Sequence, residues 1–232
     1  MSLGSTVSAK QSAWTLKVPA ERGAVVIFSL STIVALFYCR SNITEAACAL
    51  VVVWLMMLSA HNSLLLLAVS FPSIIAMALT GHIAAALFIG FVLLGIEMMQ
   101  TSAEARHLWW RELIGLAGAG SIPLIAVALM AGEAAALMLA GTALLAAIMT
   151  GLCLIHACRP DLKVSPLPSA LLSALFWIIL EMLNPNLTIS CLIPYCAQVL
   201  WILKRKRPGF KQLGLAQSAC LLWIAASLVF LG

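Results

Sequence analysis

The chain has 232 residues, of which 63% are hydrophobic and only 9% are charged, and its mean hydropathy is +1.10. A soluble domain carries about 25% charged residues, so this composition excludes an ordinary water-soluble protein. The expected solvent is a lipid bilayer, in which a spanning helix needs about 20 mostly apolar residues. The formal net charge of +5 follows from basic residues that flank the apolar runs, and no nucleic-acid partner is predicted.

Residues 1–22 form a polar N-terminal segment that contains Lys10, Lys17 and Arg22. The apolar run behind it is long enough to span a membrane, so we expect a retained helix rather than a cleaved signal. We predict a cytoplasmic segment at 1–22, followed by a single transmembrane domain at 23–232.

Long runs rich in Leu and Ala, without period-two alternation, favour helices over a membrane barrel. The predicted spans are 23–39, 43–60, 62–81, 83–100, 113–131, 134–157, 167–183, 187–203 and 213–231. Several connections are very short, which indicates antiparallel neighbours. The predicted fold is all-α, a polytopic membrane helical bundle with about nine transmembrane helices.

The basic residues predict the orientation of this bundle. If the N-terminus lies in the cytoplasm, every Lys and Arg except Arg40 falls on the cytoplasmic side. Positive charge collects on that side in membrane proteins, so we predict an N-in, C-out topology.

Two predicted hairpins, spans 3–4 and spans 5–6, resemble each other. Residues 70–99 and 121–150 share ten of thirty positions at an offset of 51 residues, including the pairs Ser70/Ser121, Pro72/Pro123, Gly81/Gly132 and Gly90/Gly141. We interpret this as a parallel hairpin repeat. Proline interruptions in corresponding spans point to a binding site near the repeat interface, and the alternative is that Pro72 and Pro123 only shape packing.

Polar residues at the predicted cytoplasmic ends of the spans are the other candidate binding residues. Glu97, three residues from the end of span 4, is interpreted either as a proton carrier or partner of Arg106 or Arg111, or as a group that reaches interfacial water. The remaining candidates on this side are Glu21, Arg22, and the His61–Asn62 turn, where arginines could hold a phosphate or carboxylate.

The sequence predicts no metal site and no cofactor. The four histidines are isolated from one another and no CxxC motif occurs. Neither a zinc cluster nor bis-His haem ligation is therefore supported.

The segment PAERGA at 19–24 resembles the motif with which the YwiC-like family of bacterial membrane proteins enters its first span. Pro19, Glu21, Gly23 and Ala24 match that motif, and Arg22 replaces its histidine. The basic segment RHLWWRELIGLAGAG resembles the family's mid-chain segment. The resemblance implies a bacterial inner-membrane protein and names no activity.

The nine-span layout also resembles the UbiA-type prenyltransferases, whose two aspartate-rich cytoplasmic loops bind magnesium diphosphate. The corresponding loops here offer His61–Asn62, and His156 with Asp161. Since Mg²⁺ prefers carboxylate oxygens, the resemblance implies a shared architecture without the magnesium-dependent chemistry.

Three functions remain open from the sequence. The leading hypothesis is a non-enzymatic multi-pass protein of the inner membrane that binds or transports a small or lipid-like molecule. The second is a membrane-embedded enzyme acting on a lipid or prenyl substrate at the cytoplasmic face. The third is a non-catalytic subunit of a membrane complex.

Overall fold

A computed structural model describes residues 22–39, 41–101, 109–158, 165–205 and 208–231. Within these ranges every regular element is an α-helix, which confirms the all-helical prediction for the described part of the chain. The helices are α1 (Arg22–Tyr38), α2 (Ile43–Ser59), α3 (Ser63–Leu79), α4 (Ile83–Thr101), α5 (Trp109–Ala131), α6 (Ala134–Cys158), α7 (Leu167–Leu183), α8 (Pro185–Arg205) and α9 (Phe210–Leu231).

Three helices are long and apolar enough to cross a membrane. Their apolar segments are Ala134–Cys158 in α6, Pro185–Lys204 in α8 and Lys211–Leu231 in α9. The other described helices contain shorter apolar segments, such as Ser63–Leu79. A 17-residue helix is about 26 Å long, slightly less than the roughly 30 Å hydrocarbon core. The lengths therefore support a membrane protein, while the count of nine spans stays a prediction.

Helix α6 lies at the centre of the bundle, in contact with α1, α5, α7, α8 and α9. Most of its circumference is buried, and many of the buried positions are small, including Ala140, Ala143, Ala147 and Gly151. Small residues let helix backbones approach closely where packing, rather than the hydrophobic effect, drives association. The Ala-rich sequence of α6 thus explains its central place.

The outer surface of the bundle is apolar. Along α3, Leu64, Phe71 and Leu79 are all more than 60% exposed. Helix α8 turns its polar residues inward, since Thr188, Tyr195 and Gln198 are buried. A soluble helix buries its apolar stripe instead, so this inverted arrangement is typical of a protein surrounded by lipid.

Two hairpin turns share one backbone conformation. Gly81 joins α3 to α4 with φ +88°, and Gly132 joins α5 to α6 with φ +80°. Both lie in the left-handed region, which glycine enters without the clash that a Cβ causes. The two glycines are 51 residues apart, so the hairpins paired by sequence also turn in the same way.

Hydrogen bonds tie together the turns at one end of the bundle. Ser41 Oγ donates to Glu133 Oε1 at 2.9 Å, and Asn42 Nδ2 donates to the carbonyl of Ala131 at 2.8 Å. At this end, here called the acidic end, lie the turns at 39–42, 80–82, 132–133 and 184, and all three described acidic side chains, Glu45, Glu133 and Glu181. The opposite end, here called the basic end, holds the turn at 60–62, the start of α1 and the connection from α8 to α9.

Candidate functional site

The predicted cytoplasmic residues lie at the basic end, and the described part of that set has local roles. Asn62 caps α3, because its Oδ1 accepts hydrogen bonds from the backbone N–H groups of Leu64 and Leu65 at 3.0 and 3.3 Å. The exposed His61 places its Nδ1 3.2 Å from the carbonyl oxygen of Leu58. The structure therefore gives Asn62 a capping function, which the sequence interpretation had not assigned.

Most of the remaining candidates have no described side chain. Glu21 and Arg106 lie outside the described residues. The backbone places Arg22 at the start of α1, Glu97 near the end of α4 and Arg111 in the first turn of α5. These helix ends all belong to the basic end, and a binding role for the set stays a prediction.

Both candidate prolines interrupt helices, but in different environments. Pro72 is exposed in α3, whereas Pro123 is buried in α5. Proline has no N–H to donate to the carbonyl four residues earlier, which for Pro123 is that of Ala119. The next carbonyl, that of Gly120, accepts a 2.8 Å hydrogen bond from Ser31 Oγ of α1. Helix α1 thus donates a hydrogen bond to α5 close to the residue where the proline interrupts its backbone hydrogen bonding.

A third interior proline, Pro194, is compensated by a side-chain hydrogen bond from a neighbouring helix, which the sequence interpretation missed. Pro194 in α8 leaves the carbonyl of Ser190 without its helical donor. The indole Nε1 of Trp223, on α9, donates to that carbonyl at 3.1 Å. The indole therefore replaces the backbone hydrogen bond that the proline removes.

An apolar groove of about 260 Å³ lies between α5 and α6. Its lining residues are Ser121, Leu124, Ile125, Ala128, Leu129, Ala134, Leu137, Met138, Gly141, Thr142 and Leu145. It begins next to the turn at Gly132 and extends about 17–20 Å from it, to Ser121 on α5 and Leu145 on α6, as judged from the rise of 1.5 Å per residue. The groove therefore occupies the half of the bundle that is nearer the acidic end.

The two hydroxyls in this groove offer no free proton to a ligand. Ser121 Oγ donates to the carbonyl of Ala117, and Thr142 Oγ1 donates to the carbonyl of Met138, each at 2.8 Å. Each hydroxyl has one proton, which these bonds use within the helix. The groove thus presents hydrocarbon to an occupant and suits a hydrocarbon chain.

The related hairpin differs from this one in side-chain size at several groove positions. At the offset of 51 residues, Ala128 corresponds to Met77 and Thr142 corresponds to Phe91. Ala134, at the mouth of the groove, corresponds to Ile83. At these three positions, though not at every groove position, the α5–α6 hairpin has the smaller side chain.

A buried polar cluster connects α6, α8 and α9. Tyr195 Oη donates to the carbonyl of Ala147 at 2.9 Å, and Gln217 Nε2 lies 3.2 Å from the same carbonyl and 3.0 Å from Tyr195 Oη. A carbonyl can only accept, so the amide of Gln217 must present its nitrogen to Ala147. Gly151 makes room for this side chain, because a Cβ at that position would meet the amide group of Gln217.

A second polar group joins α6 to α7. Thr150 Oγ1 donates to the carbonyl of Ala146 at 2.7 Å and receives the indole N–H of Trp177 at 2.9 Å. Ser173 Oγ lies 2.7 Å from the same hydroxyl, and because the proton of Thr150 is already used, Ser173 donates. These uncharged residues lie within apolar runs, and sequence reasoning that concentrated on ionisable side chains overlooked them.

Metal-binding chemistry finds no support in the described ranges, which contain no cluster of three or more His, Cys, Asp or Glu side chains. Comparison with protein-family models, with curated proteins and with solved structures finds no match. The resemblance to the YwiC-like family and the UbiA-type layout therefore stay predictions, and the groove and the polar clusters are the basis for a functional conclusion.

Proposed function

We propose that the chain is a multi-pass protein of the bacterial inner membrane, with nine spans and an N-in, C-out topology, that binds a lipid-like molecule. The single observation that carries the proposal is the α5–α6 groove, which is apolar and whose two hydroxyls are both committed to their own helix. Binding, rather than transport or catalysis, is the activity that this geometry supports.

The membrane placement is supported by the distribution of polarity. Exposed Leu and Phe side chains cover the outside, and α8 buries Thr188, Tyr195 and Gln198. The described acidic side chains lie at one end, and the described lysines, Lys204 and Lys211, lie at the other. Cations at one end of a set of apolar helices are what the positive-inside rule places in the cytoplasm.

The exposed fractions of two groove residues support groove walls that face the lipid. Ile125 and Met138 line the groove and are 40% and 59% exposed, so the groove opens onto the apolar outside of the bundle. Surrounding lipid is as apolar as these walls, and the hydrophobic effect therefore gives a ligand no advantage over bulk lipid. Selectivity must come from dispersion contacts with a chain that fits the groove. An acyl or isoprenoid chain meets this requirement, and a polar solute does not.

The proposal is tested by photolabelling with a fatty acid that carries a diazirine near the middle of its chain. Membranes containing the protein are irradiated and labelled peptides are mapped by mass spectrometry. We expect labelling to concentrate on the peptides of α5 and α6 that contain groove residues. The double variant Ala128→Met/Ala134→Ile, which carries the side chains of the α3–α4 hairpin at these positions, should reduce that labelling several-fold.

A matched control carries the same substitutions at exposed positions outside the groove. Ala197 in α8 and Ala226 in α9 are both exposed, so Ala197→Met/Ala226→Ile adds equal bulk to the lipid-facing surface. This variant should label the groove like the wild-type protein. Labelling spread evenly over all exposed helices, or unchanged in the groove-filling variant, would refute a specific hydrocarbon site.

A further inference from the structure

The deep end of the α5–α6 groove is closed by a close contact between the two helices. On α6, the groove residues Met138, Gly141 and Leu145 lie in one helical row. The next residue of that row is Ile148, which is 2% exposed. A Cβ at Gly120 of α5 would meet Ile148 Cδ1 at 2.5 Å, so α5 and α6 leave no room between them at this level.

Helix α1 packs against the same contact. Ile27 Cγ2 lies 3.6 Å from the position that a Cβ at Gly120 would take, and Ser31 Oγ donates to the carbonyl of Gly120 at 2.8 Å. Both α1 residues are buried, with exposed fractions of 6% and 0%. A hydrocarbon chain in the groove therefore meets packed side chains about one helical turn beyond Leu145.

The opposite end of the groove lies beside the turn that joins α5 to α6. Ala134, the first residue of α6, lines the groove there. Along the side of the groove, the exposed Ile125 and Met138 give surrounding lipid direct access. The interior of a bilayer is hydrocarbon, so the occupant that these surroundings supply is a lipid chain whose headgroup lies at the acidic end.

We propose that the groove selects its ligand by chain length, holding one chain of a lipid from the leaflet at the acidic end, with the methyl end of the chain against the contact between Gly120 and Ile148. The inference rests on the proposed function and adds a direction and a length to it. The groove extends about 17–20 Å. An all-trans chain advances about 1.25 Å per carbon, given C–C bonds of about 1.5 Å, so the groove accommodates roughly 14–16 carbons. Carbons beyond the closed end lie in bulk lipid and gain no contacts, so affinity rises with chain length and then levels off.

The depth of photolabelling tests the direction of the chain. Two fatty acids are compared, one with its diazirine near the carboxyl group and one with its diazirine near the methyl end. We expect the first to label α6 near Ala134, and the second to label α5 near Ser121 and α6 near Leu145. The reverse order, or the same labelled positions for both probes, would overturn the proposed direction.

Competition with unlabelled lipids tests the length. The competitors are monoacylglycerols with lauroyl, myristoyl, palmitoyl, stearoyl and arachidoyl chains, whose shared headgroup is uncharged. Displacement of the probe should strengthen about threefold with each added pair of methylene groups, up to the myristoyl or palmitoyl chain, and then stay constant. Ile148→Ala, which removes side-chain atoms from the closed end, should move this plateau to a longer chain. Ser121→Leu, which adds a larger side chain at the deep end of the groove, should move it to a shorter one.

Two substitutions in α9, outside the groove, are matched controls. Ile224→Ala removes the same atoms from a position that is 0% exposed. Ser218→Leu replaces a serine whose Oγ, like that of Ser121, donates to the carbonyl four residues earlier. Both control variants should keep the wild-type plateau.

The outcomes separate this inference from the proposed function. Displacement that strengthens through the whole series, or a plateau that neither Ile148→Ala nor Ser121→Leu moves, would overturn the length selection and leave the groove a hydrocarbon site. Probe labelling spread evenly over all exposed helices would refute the hydrocarbon site itself, and the length selection with it. Because the two groove variants shift the plateau in opposite directions, either one tests the length if the other does not fold.

Discussion

Replacing Trp223 with phenylalanine should destabilise the bundle through a single backbone carbonyl. Pro194 denies the carbonyl of Ser190 its helical donor, and Trp223 Nε1 supplies the substitute at 3.1 Å. Phenylalanine keeps an aromatic ring but has no N–H. An unsatisfied buried acceptor costs about 1–3 kcal/mol, whereas hydrogen bonds between membrane helices average about 0.6 kcal/mol. Trp223 is 50% exposed, so the carbonyl of Ser190 is only partly shielded. We therefore expect the free energy of unfolding to fall by the lower part of the first range, about 1–2 kcal/mol.

Trp223→Phe should lower the free energy of unfolding much less when residue 194 has a backbone N–H to donate. In Pro194→Ala the new backbone N–H would reach the carbonyl of Ser190, so the indole becomes redundant. Trp223→Phe should then cost less than about 0.5 kcal/mol. The coupling energy between positions 194 and 223 should accordingly be about 1 kcal/mol, which is larger than the error of a double-mutant cycle.

The assay is equilibrium unfolding in mixed detergent micelles, followed by far-ultraviolet circular dichroism because tryptophan itself is changed. Trp54→Phe is the control, since its indole donates to Thr32 Oγ1 at 3.0 Å and α2 packs chiefly against α3 and α5. Trp54→Phe and Pro194→Ala should be additive within about 0.5 kcal/mol. If the changes in unfolding free energy of Pro194→Ala and Trp223→Phe were additive in the double variant, the indole would not replace the missing backbone hydrogen bond.

Three further predictions concern the hairpin turn, the polar cluster and the topology. Gly132→Ala should cost about 1–2 kcal/mol because of the positive φ at this position. Gly115 lies within α5 and has open space around it, so Gly115→Ala should be neutral or stabilising by up to about 1 kcal/mol in the same unfolding assay. Gly151→Ala should cost about 1 kcal/mol by displacing Gln217 from two hydrogen bonds; an unchanged midpoint would refute this role. A C-terminal alkaline phosphatase fusion should be active and a fluorescent-protein fusion dark, and the reverse would contradict the C-out topology.

Hydropathy was sufficient to locate the helices, because each apolar run forms its helix from local backbone hydrogen bonds. The predicted span 134–157 corresponds to Ala134–Cys158, and 167–183 to Leu167–Leu183. The boundary at 113 was less accurate, since α5 already begins at Trp109 with charged residues in its first turns. The paired turn glycines were also visible in the sequence, because a positive φ is a requirement of local geometry.

The candidate sites could not be found in the same way, because they depend on which helix faces meet. Gln217 lies 70 residues from Ala147 and 22 from Tyr195, yet one amide contacts both. The groove is lined in part by the small residues Ala128 and Thr142, and small residues in a membrane helix equally well permit close packing. Asn62 was visible as a polar residue, but only the positions of the Leu64 and Leu65 amides show that it caps α3.

Many of the polar side chains inside this bundle donate to the backbone. The buried Ser31 and Tyr195, and the half-exposed Trp223, each donate to a carbonyl on another helix. Such bonds fasten the helices together in lipid, where water does not solvate the backbone, but they leave few donors for a ligand. This explains why the groove offers a hydrocarbon surface and why charged recognition would be confined to the helix ends.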